Sequence, residues 1–144
     1  MTTIAFDGKT LAVDSQGTSS GLISTLSEQK LFLDVGEFKA VAFCGETGAY
    51  RRVVEWIRNG CDGDITVKGD WCAVCLKENG ELIQYCDSLP YEQICDVPYA
   101  NGSGFGVAMG AMKAKASAVE AIEVAKELCI YTGGKVQSFE LNNE

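Results

Sequence analysis

Two short turn signals constrain the fold more than anything else in the chain. Asp7-Gly8 and Asn79-Gly80 each stand between apolar, β-prone runs. Such pairs supply the positive φ angles that a tight antiparallel hairpin needs. Residues 3–6 and 10–14 therefore read as one hairpin, and residues 71–77 and 81–86 as another. Residues 21–26 and 30–35 read as further strands, and 39–44 as an apolar strand after a turn at Gly36. The apolar run is expected to begin again near residue 65 and carry on to Cys75. Helical periodicity appears in residues 48–58, where Ala49, Val53, Trp56 and Ile57 share a side and Asn59-Gly60 gives the stop. Pro90 and Pro98 bracket an irregular stretch. Residues 104–115 are rich in Ala and Met and read as a helix. Ser117 and Glu120 form a capping box at the head of a second one, 117–128, with Ala118, Ala121, Ile122 and Ala125 as its apolar stripe. Tyr131-Thr132 and residues 135–141 return to strand. The order is strands, helix, strands, two helices, strand, with no linker. It predicts a single domain over 1–144 of layered α+β type, an αββα sandwich among the candidates.

Composition narrows the chemistry. The chain has 144 residues, 47% of them hydrophobic, and a net charge of −8. That balance argues against a nucleic-acid partner. No run approaches the roughly 20 apolar residues of a membrane span, and the start lacks a basic-then-apolar leader pattern. A cytoplasmic protein is the expectation. There is no histidine, so acid–base work falls to Lys, Asp, Glu, Tyr, Cys or a terminal amine. The seven cysteines are odd in number, which favours reduced thiols over a disulfide framework. Cys72 and Cys75 have redox or metal spacing. A strand, however, sends residues three apart to opposite faces, which disfavours a small redox protein built on that pair.

Thr2 follows the initiator methionine. Once Met1 is removed, its hydroxyl and its own α-amine sit on one residue, a nucleophile beside a weak base. A residue this small at position two favours that removal.

The partners carry a resemblance. Thr2-Thr3-Ile4 is followed by a second strand ending in Asp14, then Ser15-Gln16-Gly17-Thr18. Lys30 comes sixteen residues after Asp14. The segment 40–47 is an apolar strand running into a Gly45 turn, Gly102-Ser103-Gly104 is a GSG turn, and residues 129–132 read CIYT. In this order and spacing the chain resembles proteasome β-subunits, and HslV peptidases most closely. The resemblance implies the four-layer αββα sandwich of the N-terminal nucleophile hydrolases. It departs from the family after residue 60, where a second long helix is expected and the chain instead leads toward the next strand. That puts the usual ring contacts in doubt.

The resemblance and the chemistry together select the site. Thr2 is the nucleophile. Lys30 places positive charge beside its hydroxyl and Asp14 holds Lys30, although either alone would read as an ordinary surface or strand-end residue. Gly45 offers its N–H to an oxyanion, or is a plain turn glycine. Ser103 resembles the family serine at the terminal amine, or caps the following helix. The backbone carbonyls of Lys126, Cys129 and Thr132 correspond to a monovalent-cation loop. The implied function is a threonine-type peptidase acting on peptide or unfolded-protein substrates inside a homo-oligomeric ring. It requires no cofactor beyond such a structural cation, and an ATP-dependent unfoldase is the implied partner. The alternative is a catalytically silent proteasome-like subunit, the reading that a retained Met1 would favour.

Overall fold

Strand alternation sorts the side chains of this protein into three interiors. In the computed structural model, which describes residues 2–67, 69–87 and 92–142, β1 (Thr3–Phe6) sends Ile4 and Phe6 to one side and Ala5 to the other. β2 (Thr10–Val13) does the same with Leu11 and Val13 against Ala12. The two strands pair antiparallel, Ile4 opposite Val13 and Phe6 opposite Leu11. Asp7 closes their turn by accepting from the N–H groups of Lys9 and Thr10. A small hairpin follows, β3 (Gly17–Ser19) with β4 (Leu22–Thr25). Next comes a meander of β5 (Leu31–Val35), β6 (Phe38–Gly45), β7 (Trp71–Lys77), β8 (Leu82–Cys86) and β9 (Gln93–Ile94). β10 (Tyr99–Gly102) and β11 (Gln137–Glu140) return to flank β1 and β2, giving a sheet of order β10-β1-β2-β11 against the five-stranded meander.

The central interior lies between the two sheets. Ile4, Phe6, Leu11 and Val13 meet Ala40, Ala42, Val74, Leu76 and Leu82 there. On the outer face of the meander, Val41, Phe43, Ala73, Cys75 and Ile83 pack under α1 (Tyr50–Arg58), which buries Tyr50, Val53, Val54 and Ile57. On the outer face of the other sheet, Ala5, Ala12 and Ala100 pack under α2 (Phe105–Lys113) and α3 (Ala118–Leu128). The layers are therefore helix, sheet, sheet, helices, the four-layer αββα arrangement. The capping box forms as expected, with Ser117 Oγ accepting from Glu120 N and Glu120 accepting from Ser117 N. No helix lies among the described residues between the end of α1 and β7, so the α1 layer is one helix thick.

Three expectations are corrected. Residues 65–67 are irregular and the strand begins only at Trp71, after a break in which Gly69 takes a φ of +96°. Tyr131-Thr132 is not strand; it lies in the turn region after α3, because Thr132 turns its hydroxyl inward to Thr3. β3 forms over residues 17–19, to which the sequence reading assigns no element. Pro98 does lie in an irregular stretch, whereas Pro90, like Met1, lies outside the described residues.

Candidate active site

The first residue of β1 and the first residue past β2 face each other because the two strands are in register. Thr3 N donates to Asp14 Oδ1 at 3.3 Å, and Asp14 N donates back to Thr3 O at 3.4 Å. Gly133 N, 3.0 Å away, and Gln16 N, 3.4 Å away, donate to Asp14 Oδ2. Four oriented N–H and ammonium donors, Lys30 included, thus meet a carboxylate that is completely buried.

Lys30 arrives from the other sheet, one residue ahead of β5. Its Nζ lies 2.9 Å from Asp14 Oδ1 and 3.0 Å from Thr2 Oγ. The side chains of the pair are 1% and 0% exposed, so this is an interior ion pair and not a solvated lysine. A buried pair is favourable only with good geometry and further hydrogen bonds, and both are present. Burial pulls the Lys30 ammonium below its ordinary value, while the Asp14 charge and hydrogen bond oppose that shift. The result is a positive charge fixed against a threonine hydroxyl, where it lowers the cost of forming alkoxide.

Gly45 ends β6 at the same place. Phe43 N donates to Lys30 O across β5. Residues two apart in a strand aim their N–H groups to the same side, so Gly45 N–H points where β5 has already ended. The residue has φ +102°, and a Cβ there would stand 2.2 Å from Asp70 O. Both facts require glycine. Tyr50 OH donates to Gly45 O at 3.1 Å. Burial pushes the Tyr50 hydroxyl well above its usual range, so it remains a donor. A cavity of about 290 Å³ opens over this group, lined by Thr2, Lys30, Gly45, Thr47, Tyr50 and Asp70 among others.

Ser103 lies beside Thr2 and does not cap α2, whose N-cap is Gly104 without a side-chain bond. Its N–H and hydroxyl both donate to Thr2 O, at 2.7 and 3.3 Å. Cys129 Sγ approaches Ser103 Oγ at 3.5 Å. Thr132 Oγ is 2.7 Å from Thr3 Oγ, and Thr132 N donates to Cys129 O. Lys126 belongs to the last turn of α3. Thr2, Asp14, Lys30, Gly45 and Ser103 are thus brought together, with the loop after α3 behind them.

Sequence reasoning missed Gln137. Its Oε1 accepts from Lys30 N and Leu31 N, and its Nε2 shares hydrogens among Asp14 O, Ser15 Oγ and Glu28 O. One amide therefore ties β11 to the segments on either side of the ion pair. No local pattern marks it. Gly133 had a weak signal in the Gly-Gly pair, which permits close approach: a Cβ there would meet Gln16 Oε1 at 2.3 Å.

The fold has solved counterparts. Eukaryotic HslV from Trypanosoma brucei superposes with a TM-score of 0.77 over 99% of this chain and 100% of that one, at 16% identity. The chain has the HslV fold. Thiobacillus denitrificans BPH superposes with a TM-score of 0.69 at 18% identity, and the same protein in complex with epoxomicin at 0.69 and 19%, each over 99% of both chains. No family model and no curated protein matches the sequence. Within the HslV fold, the site described above sits at one end of the two-sheet interior, where both sheets present backbone and charged groups to one cavity.

Proposed function

We propose that this chain is a threonine-type peptidase whose nucleophile is Thr2 after removal of Met1. The observation that carries the reading is the continuous contact Thr2 Oγ, Lys30 Nζ, Asp14 Oδ1, at 3.0 and 2.9 Å, buried beneath an open cavity. A solvated lysine or a structural turn would not need this arrangement.

The steps follow from the positions. The freed α-amine of Thr2, with a reference pKa of roughly 8, takes the hydroxyl proton as Oγ attacks the peptide carbonyl. Lys30 stabilises the developing negative charge on Oγ. The carbonyl oxygen becomes an oxyanion and accepts from Gly45 N–H, the role that a preformed donor plays best. Collapse expels the leaving amine, which receives the proton held by the α-amine, and leaves an ester on Thr2. The amine then draws a proton from water, which hydrolyses that ester and restores the hydroxyl. Ser103, fixed on Thr2 O, orients the residue that supplies both groups. The carbonyls of Lys126, Cys129 and Thr132 would hold a structural monovalent cation, a hard ion suited to oxygen ligands. Its part would be to stiffen the loop that places Thr132 on Thr3 and Gly133 N–H on Asp14.

Substrates are peptides or unfolded chains, and the protein works as a homo-oligomeric ring in the cytoplasm with an ATP-dependent unfoldase as partner. Exposed apolar residues support assembly: Leu22, Ile23, Phe105, Leu128 and Ile130 are all more than half exposed, a pattern that marks contact surfaces. The alanines of α2 and α3 do not serve that end. Ala108, Ala118, Ala121 and Ala125 all pack inward.

Epoxomicin, or another epoxyketone that bridges a hydroxyl and an amine, tests the site directly. Protein starting at Thr2 gains one inhibitor by intact mass, Thr2→Ala gains none, and Lys30→Ala gains it far more slowly. Labelling that survives in Thr2→Ala, or maps to a cysteine, rejects the assignment. A mature chain that keeps Met1 and stays inert returns the reading to a silent subunit. Light scattering showing a monomer near 15.4 kDa rejects the ring.

A further inference from the structure

Three of the seven cysteines form a row that the proposed chemistry does not use. Cys44 on β6 is opposite Cys72 on β7, and Cys72 is opposite Cys86 on β8. All three point into the interior between the sheets, with Cys72 buried and the outer two half-buried. Cys75, by contrast, lies on the α1 side. Asp87 N donates to Trp71 O at 3.1 Å, so the neighbouring pair Cys72–Cys86 is a non-hydrogen-bonded pair. In such pairs the Cα atoms are about 4.5 Å apart and the side chains closest, within the range that a disulfide spans. The Cys72 and Cys86 sulfurs are already 3.2 Å apart. Cys44 faces Cys72 directly across the β6–β7 register.

We infer that Cys44, Cys72 and Cys86 form a peroxide-reactive thiol relay, in which oxidation enters at Cys44 and comes to rest as a Cys72–Cys86 disulfide. The Cys44 thiolate attacks hydrogen peroxide, forming a sulfenic acid and releasing hydroxide, which takes up a proton to become water. The Cys72 thiol condenses with that sulfenic acid, forming a Cys44–Cys72 disulfide and a second water. The Cys86 thiolate then attacks the Cys72 sulfur and expels Cys44 as thiolate. Two thiols and one peroxide become one disulfide and two waters.

The surroundings order these steps. The facing Cys72 thiol lowers the Cys44 pKa, burial opposes it, and the Lys30 charge lowers it further. A thiolate so stabilised is the entry point for an oxidant and the better leaving group in exchange. Burial raises Cys61 and Cys95, the latter to about 11. Cys129 is the competitor: burial raises it, but its hydrogen-bonding neighbours Thr132 and Ser103 bring it below its usual value.

The relay also touches the site. Cys72 Sγ accepts from Asn101 Nδ2 at 3.2 Å, and Asn101 Oδ1 accepts from Gly102 N at 2.6 Å, next to the Ser103 that holds Thr2 O. Drawing Cys72 toward Cys86 loosens that chain, and Cys44 directly precedes Gly45. A reversible loss of hydrolysis on oxidation follows, and this consequence alone rests on the peptidase reading.

The test uses the full chain carrying Cys129→Ser, treated with equimolar hydrogen peroxide and followed by intact mass and non-reducing peptide mapping. Expected are the loss of two hydrogens, a bond mapping to Cys72–Cys86, and reversal by dithiothreitol. Adding Cys44→Ser should slow bond formation about tenfold. Adding Cys86→Ser should stop the relay at Cys44–Cys72. A bond to Cys61, Cys75 or Cys95 overturns the inference, as does Cys44 passing to sulfinic acid without a bond, or an unchanged rate in Cys44→Ser. None of these readouts requires peptidase activity, so an inert Thr2 and a failed relay are told apart.

Discussion

The two helical faces of this sandwich solve the same packing problem with opposite materials. Under α2 and α3 the interior is built from Ala5, Ala12, Ala100, Ala108, Ala118 and Ala121, with Ile122 and Met112 filling between them. Small residues let two helices lie close on the sheet. Under α1 there is a single helix, and its interior is aromatic. Phe43 stacks on Tyr50 at 4.8 Å, while Trp56 meets Trp71 and Tyr85 edge to face at 6.5 and 5.4 Å. Large rings fill the space between that one helix and the sheet. The comparison teaches that the two sheets can be roofed with different materials, and that the α1 roof alone sends a side chain, Tyr50, into the cavity of the site.

Mutations can break that comparison. The largest effect is expected from Trp71→Ala, which empties the aromatic face at a residue only 3% exposed. It should cost about 3–5 kcal/mol, read by denaturant unfolding. A loss under about 1 kcal/mol would mean that the rings cover the sheet without supporting it. Ala121→Leu tests the other face, where Ala121 is completely buried. Overpacking there should cost about 1–3 kcal/mol, and a neutral result would show slack between α3 and the sheet. Ser117→Ala removes the capping box and should cost about 1 kcal/mol.

The smallest expected effect is on pH behaviour, which neither face should move. Burial holds Lys30 below its ordinary 10.5 against the pull of Asp14, so the folded state releases this proton before the unfolded chain does. Between the lowered value and 10.5 the unfolded state binds more protons, and the group's contribution to stability rises with pH. Over the same window the charge beside Thr2 disappears. The proposed hydrolysis should therefore fall off with a midpoint below 10.5 in the parent and in all three variants, measured as kcat/KM against pH. A midpoint that shifts in Ser117→Ala or Ala121→Leu would tie the site to its roof.

Much of this molecule is legible in its residues alone. The two Gly-containing turns mark their hairpins, and the family resemblance, carried in part by the Asp14 to Lys30 spacing, implies the ion pair. The opposition of Cys72 and Cys75 follows from strand parity. What is illegible depends on long-range contacts. Gln137 looks like any strand amide until β11 is placed beside β2. Thr132 has β propensity but is drawn into a turn by a hydroxyl 129 positions away in the chain. The cross-strand register that aligns Cys44, Cys72 and Cys86 depends on two pairings, of which Asn79-Gly80 marks β7–β8 while β6–β7 joins strands far apart in sequence.

The Gln137 amide has a consequence in time. The residues that would do the chemistry all come early in the chain, apart from Ser103. Their backbone is locked by a side chain that a ribosome delivers more than a hundred residues after Lys30 (Lys30 N and Gln137 Oε1 are separated by 107 positions). A domain folds as a unit, and a contact between its two ends needs both of them present. A half-made chain can therefore display Thr2, Asp14 and Lys30 without holding them in working order. β11 is therefore part of the candidate site as much as β1 or β5, because the Lys30 N–H and Leu31 N–H have their common acceptor only once Gln137 is in place.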